Sequence, residues 1–379
     1  MYMKSFLFPK IIFFAILIVL AILYNRFENK RLREENQDNY ETIQKYLLDD
    51  ETLAKSKKPI LWIHVPYEYN SRNWLNFGSR SSFELNQPYL YLTVKSIIDQ
   101  CQDSFTICII DDSSFQRLLP SFNVDMTSIS SPILNNMRQL ALMKLLHTYG
   151  GLICPISFVC IKNLIGMYDK GTRNDSMFLC ETNDRNITST THNFYPSLTF
   201  CGAPKECATV GSLIDFIQRT MSRDYTAETE FLGNFDRWTN SRIQKGEINL
   251  IDGVEIGIKT IDEKPILIDD LMSNNYLNLY KGTYGILIPA EEILKRRKFE
   301  WFARMSQKQV LESNTIIGNY LLVNAGEGGN ILEKLTPLIN KEVERKYVGF
   351  WKTPNYPGLY GLKPNFLGDN LLKQDHTGR

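Results

Sequence analysis

The sequence predicts an α/β domain with a mostly parallel central sheet, and two stretches of the chain carry that prediction. Between residues 60 and 112, an apolar strand, a helix and a second apolar strand follow one another. This is the order of a βαβ unit, whose strands are parallel. Between residues 137 and 164, an apolar helix leads through two glycines into a third apolar strand. Side chains that follow such strands lie at the edge where open α/β sheets bind ligands.

The first stretch has clear boundaries. A strand at residues 60–65 lies between two prolines, and Pro88 begins a helix with one apolar face, as proline is favoured at the start of a helix. The second strand, at residues 105–110, ends in Asp111-Asp112-Ser113-Ser114. These polar side chains are suited to a ligand at the edge of the sheet or to capping the next helix through Asp112 or Ser113.

In the second stretch, the pattern predicts a helix at residues 137–148 and a strand at residues 152–161. Gly150 and Gly151 between them allow a tight reversal, because glycine adopts positive φ and lets backbones approach closely. Further apolar patterns continue the globular part of the chain. They predict strands at 177–180, 198–201 and 286–288, and helices around 213–221, 231–238 and 310–323.

Composition excludes little. A chain of 379 residues allows one or two domains with a large core. The net charge of +1 gives no argument for a nucleic-acid partner. Of the seven cysteines, Cys108, Cys154 and Cys160 lie in apolar runs, which predicts buried free thiols. Their spacing is not typical of a zinc site.

The chain begins with an apolar segment at residues 6–24, which we interpret as a single membrane anchor. A cleaved signal peptide is the alternative, but small residues suited to cleavage do not follow the segment. The side of the membrane on which the globular domain lies stays open. The basic residues after the anchor favour a cytosolic domain, whereas two glycosylation sequons, at Asn174 and Asn186, favour a lumenal one. We expect a charged helical stem at 25–58, a globular domain at 59–345 and an irregular tail at 346–379.

The segment from Tyr149 to Phe158 resembles the signature of the glycosyltransferases that include family 32 and the capsular-polysaccharide-synthesis proteins. The βαβ opening resembles the same family. This resemblance implies a GT-A fold, a nucleotide-diphospho-sugar donor, and an Asp-x-Asp motif that binds a divalent metal. Here Pro155 and Ser157 stand where the two aspartates are expected, so we expect no metal ligands and no cofactor.

The resemblance also implies where a nucleotide sugar would bind. The candidate residues lie at the ends of the first two strands, at the glycine turn, in the apolar run that follows it, and, chosen for its charge, on the helix before the glycines; they are His64, Asp111, Asp112, Gly150, Gly151, Pro155, Ser157 and Arg138. A cationic side chain such as Arg138 can replace a metal at a leaving phosphate. Three of these residues have a structural alternative. His64 is then a histidine satisfied by hydrogen bonds within the fold, Asp112 a helix cap, and Arg138 a charge exposed to solvent.

Glu228 and Glu230 are the candidate catalytic residues. They precede a predicted helix and could supply the general base that activates an acceptor hydroxyl. Alternatively, they stabilise the helix N-terminus.

Two functions from different classes follow. One is a membrane-anchored glycosyltransferase that transfers a sugar from a nucleotide sugar to a glycan acceptor, without metal or with displaced ligands. The other is a non-catalytic descendant that serves as a binding or structural protein at a membrane. Pro155 and Ser157 replace both carboxylates of the Asp-x-Asp motif, and this loss of metal ligands favours the non-catalytic function. The resemblance implies a Golgi, endoplasmic-reticulum or viral membrane.

Overall fold

The computed structural model describes residues 20, 22–24, 26–27, 58–66, 87–119, 122–129, 133–183, 194–222, 233–295 and 297–325. The chain divides into two units, Met1–Leu47 and Leu48–Arg379. In the first unit, the described residues are helical and exposed. Within the described part of the chain, no helix has both the length and the apolar character needed to cross a membrane. Most of the predicted anchor and stem, and the whole tail, lie outside the described residues.

The second unit is an α/β domain with two sheets. The larger sheet contains β1 (Ile60–His64), β2 (Thr106–Ile110), β3 (Gly151–Ile153), β5 (Met177–Asn183), β6 (Phe194–Ala203) and β7 (Ile248–Ile251). Their spatial order is β2-β1-β3-β6-β5-β7. The smaller sheet pairs β4 (Phe158–Cys160) with β8 (Gly285–Leu287) in antiparallel fashion.

The prediction of a mostly parallel central sheet is confirmed. β1 pairs in parallel with both β2 and β3, and β5 pairs in parallel with β7. β6 lies antiparallel between β3 and β5. Among the described strands of this sheet, all except β6 therefore run in one direction, which is compatible with a GT-A-like or Rossmann-like arrangement.

Helices connect and cover these strands. They are α1 (Tyr89–Cys101), α2 (Ser114–Leu118), α3 (Ile133–Tyr149), α4 (Ile165–Gly171), α5 (Ala208–Met221), α6 (Asn234–Gln244), α7 (Ile268–Leu271), α8 (Ala290–Lys295), α9 (Glu300–Ala303), α10 (Gln307–Leu311) and α11 (Ile316–Ala325). Short 3-10 turns occur at Met126–Ser128, Arg173–Asp175 and Arg297–Phe299.

Two predicted elements are each divided into two in the structure. The apolar run at residues 152–161 is two strands, because Pro155 interrupts it and its carbonyl oxygen accepts a turn hydrogen bond from the Phe158 amide at 3.1 Å. The chain leaves the larger sheet at this point and enters the smaller one. The predicted helix at 310–323 is likewise broken into α10 and α11, where the Ser313 hydroxyl donates to the Val310 carbonyl oxygen.

Two apolar clusters form the core. The first packs α3 and α5 on the larger sheet and contains Trp62, Met143 and Leu213. The second joins α1, the smaller sheet and the C-terminal helices, and contains Tyr89 and Phe302. All seven cysteines lie within the described residues, and all are buried and free of disulfide bonds, which confirms the prediction of buried free thiols.

Candidate functional site

The carboxyl ends of β1, β2 and β3 form the candidate site. From β1 the chain passes to β2 on one side and later returns to β3 on the other side of β1. Neighbouring strands thus lead the chain away in opposite directions, and ligands bind at the carboxyl ends of the strands at such a switch point. His64 ends β1, Asp111 and Asp112 follow β2, and Pro155 lies two residues beyond the end of β3.

Asp112 is the centre of an ion-pair network at this edge. Its Oδ1 lies 2.9 Å from His64 Nε2, and its Oδ2 lies 2.7 Å from Arg138 Nη2. Arg138 Nε also donates to both carboxylate oxygens, at 3.0 and 3.2 Å. The three side chains are only 7 to 13% exposed. The network joins β1, the segment after β2 and α3, and the bidentate geometry fixes the guanidinium plane.

Electrostatics keep Asp112 ionised. Burial alone would raise the pKa of its carboxyl group, but hydrogen bonds and charge attraction from His64 and Arg138 hold that pKa below its ordinary value. An ionised carboxylate only accepts hydrogen bonds, so His64 donates through Nε2 and, when neutral, has an acceptor at Nδ1. Phe115 packs against the imidazole, with ring centroids 5.2 Å apart.

Asp111 has a structural role. Its Oδ1 accepts hydrogen bonds from the Ser114 amide at 2.8 Å and from the hydroxyl groups of Ser113 and Ser114. Ser113 occupies the N-cap position of α2 but makes no capping hydrogen bond through its own side chain, and the side chain that satisfies the first amide of the helix is that of Asp111 and not of Asp112. Burial would raise the pKa of Asp111, but the hydrogen bonds from Ser114 and Ser113 lower it.

Replacing Asp111 by alanine is expected to lower the free energy of unfolding by about 1 kcal/mol, since α2 loses its cap. Urea denaturation followed by circular dichroism measures the change. Ser113→Ala is the matched control, because Ser113 only donates to the same carboxylate, and its effect should be smaller. An Asp111→Ala variant as stable as the parent would contradict the assigned cap.

Residues 155–157, which we call the 155–157 turn, are held by three parts of the fold. The Cys154 amide donates to the Trp62 carbonyl oxygen in β1 at 2.9 Å. Thr93 of α1 donates its hydroxyl to the Ile156 carbonyl oxygen. The Ile288 amide donates to the Ser157 carbonyl oxygen at 3.1 Å. The turn is therefore a fixed part of the site.

The side chains of the 155–157 turn do not fit a divalent metal. Hard cations prefer carboxylate oxygens, and the turn offers a proline, an isoleucine and a buried serine. Among the described residues, no group of three or more His, Cys, Asp or Glu side chains is placed to hold a metal ion.

Gly150 and Gly151 lie at the opposite, amino end of β3. Both have positive φ, 71° and 109°. The Gly150 carbonyl oxygen accepts a hydrogen bond from Trp62 Nε1 at 3.0 Å. Pro155 follows Gly151 by four positions, a distance of roughly 13 Å in extended chain. The structure thus gives the glycines a packing role at the far edge from His64 and Asp112. Glu228 and Glu230 lie outside the described residues.

A second charged cluster occupies the carboxyl ends of β5 and β7. Lys259 is 6% exposed, and its Nζ lies 2.8 Å from Glu181 Oε2, 3.0 Å from Asp252 Oδ1 and 4.9 Å from the Phe194 ring centroid. Burial would lower the pKa of Lys259, but the hydrogen bonds to Glu181 and Asp252 raise it. Sequence reasoning missed this cluster, although Asp252 directly follows a strand as Asp111 does.

Neither a scan against protein-family models nor a search of curated proteins found a match to this chain. The resemblance to the glycosyltransferases therefore rests on the motifs of the sequence, together with a strand arrangement compatible with their fold.

Proposed function

We propose that this chain is a membrane-anchored, glycosyltransferase-like protein that binds a nucleotide sugar at the carboxyl ends of β1, β2 and β3 without a divalent metal. The observation that carries the proposal is the switch point at β1, from which the chain passes to β2 on one side and then to β3 on the other, with the His64–Asp112–Arg138 network at the carboxyl ends of these strands. A parallel sheet with this geometry offers a crevice for a nucleotide.

The roles follow from the chemistry of each group. The nucleoside end of the donor would meet His64, whose Nδ1 is a hydrogen-bond acceptor in the tautomer that Asp112 favours. The diphosphate would lie toward the 155–157 turn. The charge of Arg138 is already balanced by Asp112, so Arg138 positions that carboxylate and adds little net positive charge for the leaving phosphate.

Donor binding therefore has more support than fast sugar transfer. The reaction requires stabilisation of the leaving diphosphate and deprotonation of an acceptor hydroxyl. A metal at a leaving phosphate contributes several kcal/mol, and about 1.4 kcal/mol corresponds to a factor of ten in rate. A site without carboxylates to hold that metal must supply the same stabilisation by other means or react orders of magnitude more slowly.

The second candidate function is a non-catalytic binding or structural protein at a membrane. The observation that favours it is the 155–157 turn, in which Pro155 and Ser157 occupy the acidic positions and backbone hydrogen bonds fix the conformation. An assay for release of nucleoside diphosphate, with and without a glycan acceptor, distinguishes the two. Turnover supports the enzyme, whereas donor binding without turnover supports the second candidate.

Binding is tested by thermal denaturation with uridine-diphosphate glucose and guanosine-diphosphate mannose, each with and without manganese. We expect one donor to raise the melting temperature of the parent equally in both conditions. A ligand at 100 times its Kd adds about 2.7 kcal/mol of stability. A shift in melting temperature that requires manganese would contradict metal-free binding. If neither nucleotide sugar shifts the melting temperature, the proposal is wrong.

Variants locate the binding. In a Pro155→Asp/Ser157→Asp protein, the shift should become larger with manganese, because two carboxylates then border the diphosphate. Pro155→Asn/Ser157→Asn is the matched control without added charge. His64→Ala should weaken donor binding, whereas His147→Ala, on α3, should not. Equal effects of the two histidine variants would place the donor elsewhere.

A further inference from the structure

Two buried thiols lie next to each other between α1 and β4. Cys101 is the last residue of α1 and Cys160 is the last residue of β4. Their Sγ atoms are 4.0 Å apart, and both side chains are fully buried. The Cys160 amide also donates to the Ser96 hydroxyl of α1 at 2.9 Å, so the backbones of helix and strand are held close together at this point.

We propose that Cys101 and Cys160 form a disulfide bond when the protein meets a disulfide oxidant such as glutathione disulfide, tying α1 to the strand that follows the 155–157 turn. A disulfide requires an S–S distance of about 2.05 Å. The sulfur atoms must therefore approach by about 2 Å, a movement of the size that rotation of two cysteine side chains produces. The proposal is independent of the proposed function.

The exchange consists of two displacements. The Cys101 thiolate attacks one sulfur of glutathione disulfide, forming a mixed disulfide and releasing one glutathione thiolate. Cys160 then loses its proton, and its sulfur attacks Cys101 Sγ in the mixed disulfide, releasing the second glutathione. The two cysteines lose two electrons and two protons, and glutathione disulfide gains them as two molecules of glutathione. Because both sulfurs are buried, the exchange takes place during folding or while the end of α1 is open.

Local electrostatics support this order of attack. The hydrogen bond from the Cys160 thiol lowers the pKa of Cys101 against the opposing effect of burial, and the Leu164 amide lowers it further. The same thiol pair raises the pKa of Cys160. Burial raises the pKa of Cys108 to about 12 and that of Cys180 well above its ordinary value. Cys101 is thus the best nucleophile of this group.

The bond would brace the candidate site. Thr93 of α1 already donates its hydroxyl to Ile156 in the 155–157 turn. The Ser96 hydroxyl of the same helix accepts a hydrogen bond from the Cys160 amide, and a covalent link from Cys101 to Cys160 adds a further attachment, three residues beyond the turn. The two cysteines are 59 residues apart in the chain, and closing a loop of that length restricts the unfolded state substantially.

The test is refolding of the reduced full chain in a buffer of oxidised and reduced glutathione, followed by trapping of free thiols with a maleimide. Peptide mapping under non-reducing conditions should find Cys101 joined to Cys160 in most of the protein, with five cysteines alkylated. The oxidised protein should melt several degrees above the same sample after reduction.

Two serine variants control for packing. Cys108→Ser removes an equally buried thiol and should leave the bond intact, whereas Cys160→Ser should abolish it. The comparison of oxidised and reduced parent protein holds even if Cys160→Ser fails to fold. A folded parent protein with all seven thiols alkylated would overturn the proposal, as would a bond from either residue to Cys154.

Discussion

Replacing Gly151 by alanine is expected to prevent folding of the domain or to lower its free energy of unfolding by at least about 4 kcal/mol. Gly151 has a φ of 109°, and a Cβ atom there would lie 2.2 Å from the carbonyl oxygen of Ile60. Ile60 belongs to β1, which is paired on both sides, so its backbone has little freedom to move away. Soluble yield and urea denaturation measure the effect.

Gly246→Ala separates the clash from the backbone conformation. Gly246 also has positive φ, 74°, but apart from its two chain neighbours no atom of the described residues lies within 4 Å of a Cβ at that position. Alanine there should cost only about 1 to 2 kcal/mol, the ordinary penalty of a left-handed backbone. Similar losses for both variants would mean that the contact with Ile60 is not what requires glycine.

Replacing Asp112 by asparagine is expected to lower the free energy of unfolding by about 3 kcal/mol. The variant removes the charge that balances Arg138, which is 6% exposed, and breaking a buried ion pair on one side costs about 3 to 5 kcal/mol. Glu247→Gln is the matched control. Glu247 pairs with Arg242 at 2.6 Å, but that pair is partly exposed, so its loss should cost less than about 1 kcal/mol.

The Asp112 variant should also change the dependence of stability on pH. The pKa of Asp112 is lower in the folded protein than in the unfolded chain, so its ionisation stabilises the fold above the unfolded pKa of about 3.9. That contribution is lost as the pH falls through the folded pKa. The stability difference between parent and Asp112→Asn should be constant near neutral pH and shrink below about pH 4. A difference unaffected by acid would contradict the role of the ionised carboxylate.

The sheet was accessible to sequence reasoning because its signals are local. An apolar run between two prolines defined β1, an apolar run that ends in Asp111 and Asp112 defined β2, and the glycine pair marked the turn into β3. The division between β3 and β4 was missed, since the run on either side of Pro155 is continuously apolar. Pro155 interrupts the run, but the partners of its two halves, β1 and β6 for β3 and β8 for β4, are set by long-range pairing that leaves no local pattern.

The residues of the candidate site were predictable from the sequence, but the hydrogen bonds and ion pairs between them were not. His64, Asp112 and Arg138 were all recognised as candidates at the edge of the sheet, yet their network depends on how α3 packs against β1 and β2. Lys259 carried no signal, because its neighbours Glu181 and Asp252 reach it only through the fold. The acidic pair next to a strand also had two interpretations, which only the cap of α2 resolved for Asp111.

The position of β1 between β2 and β3 has a consequence for biosynthesis. This strand leaves the ribosome before its two neighbours, and the hydrogen bond from Trp62 to Gly150 spans 88 residues. Translation adds about 5 to 20 residues per second. One edge of β1 therefore stays unpaired for several seconds, until β3 has been translated. An unpaired apolar edge recruits other strands, so nascent chains of intermediate length should be the species most in need of chaperones.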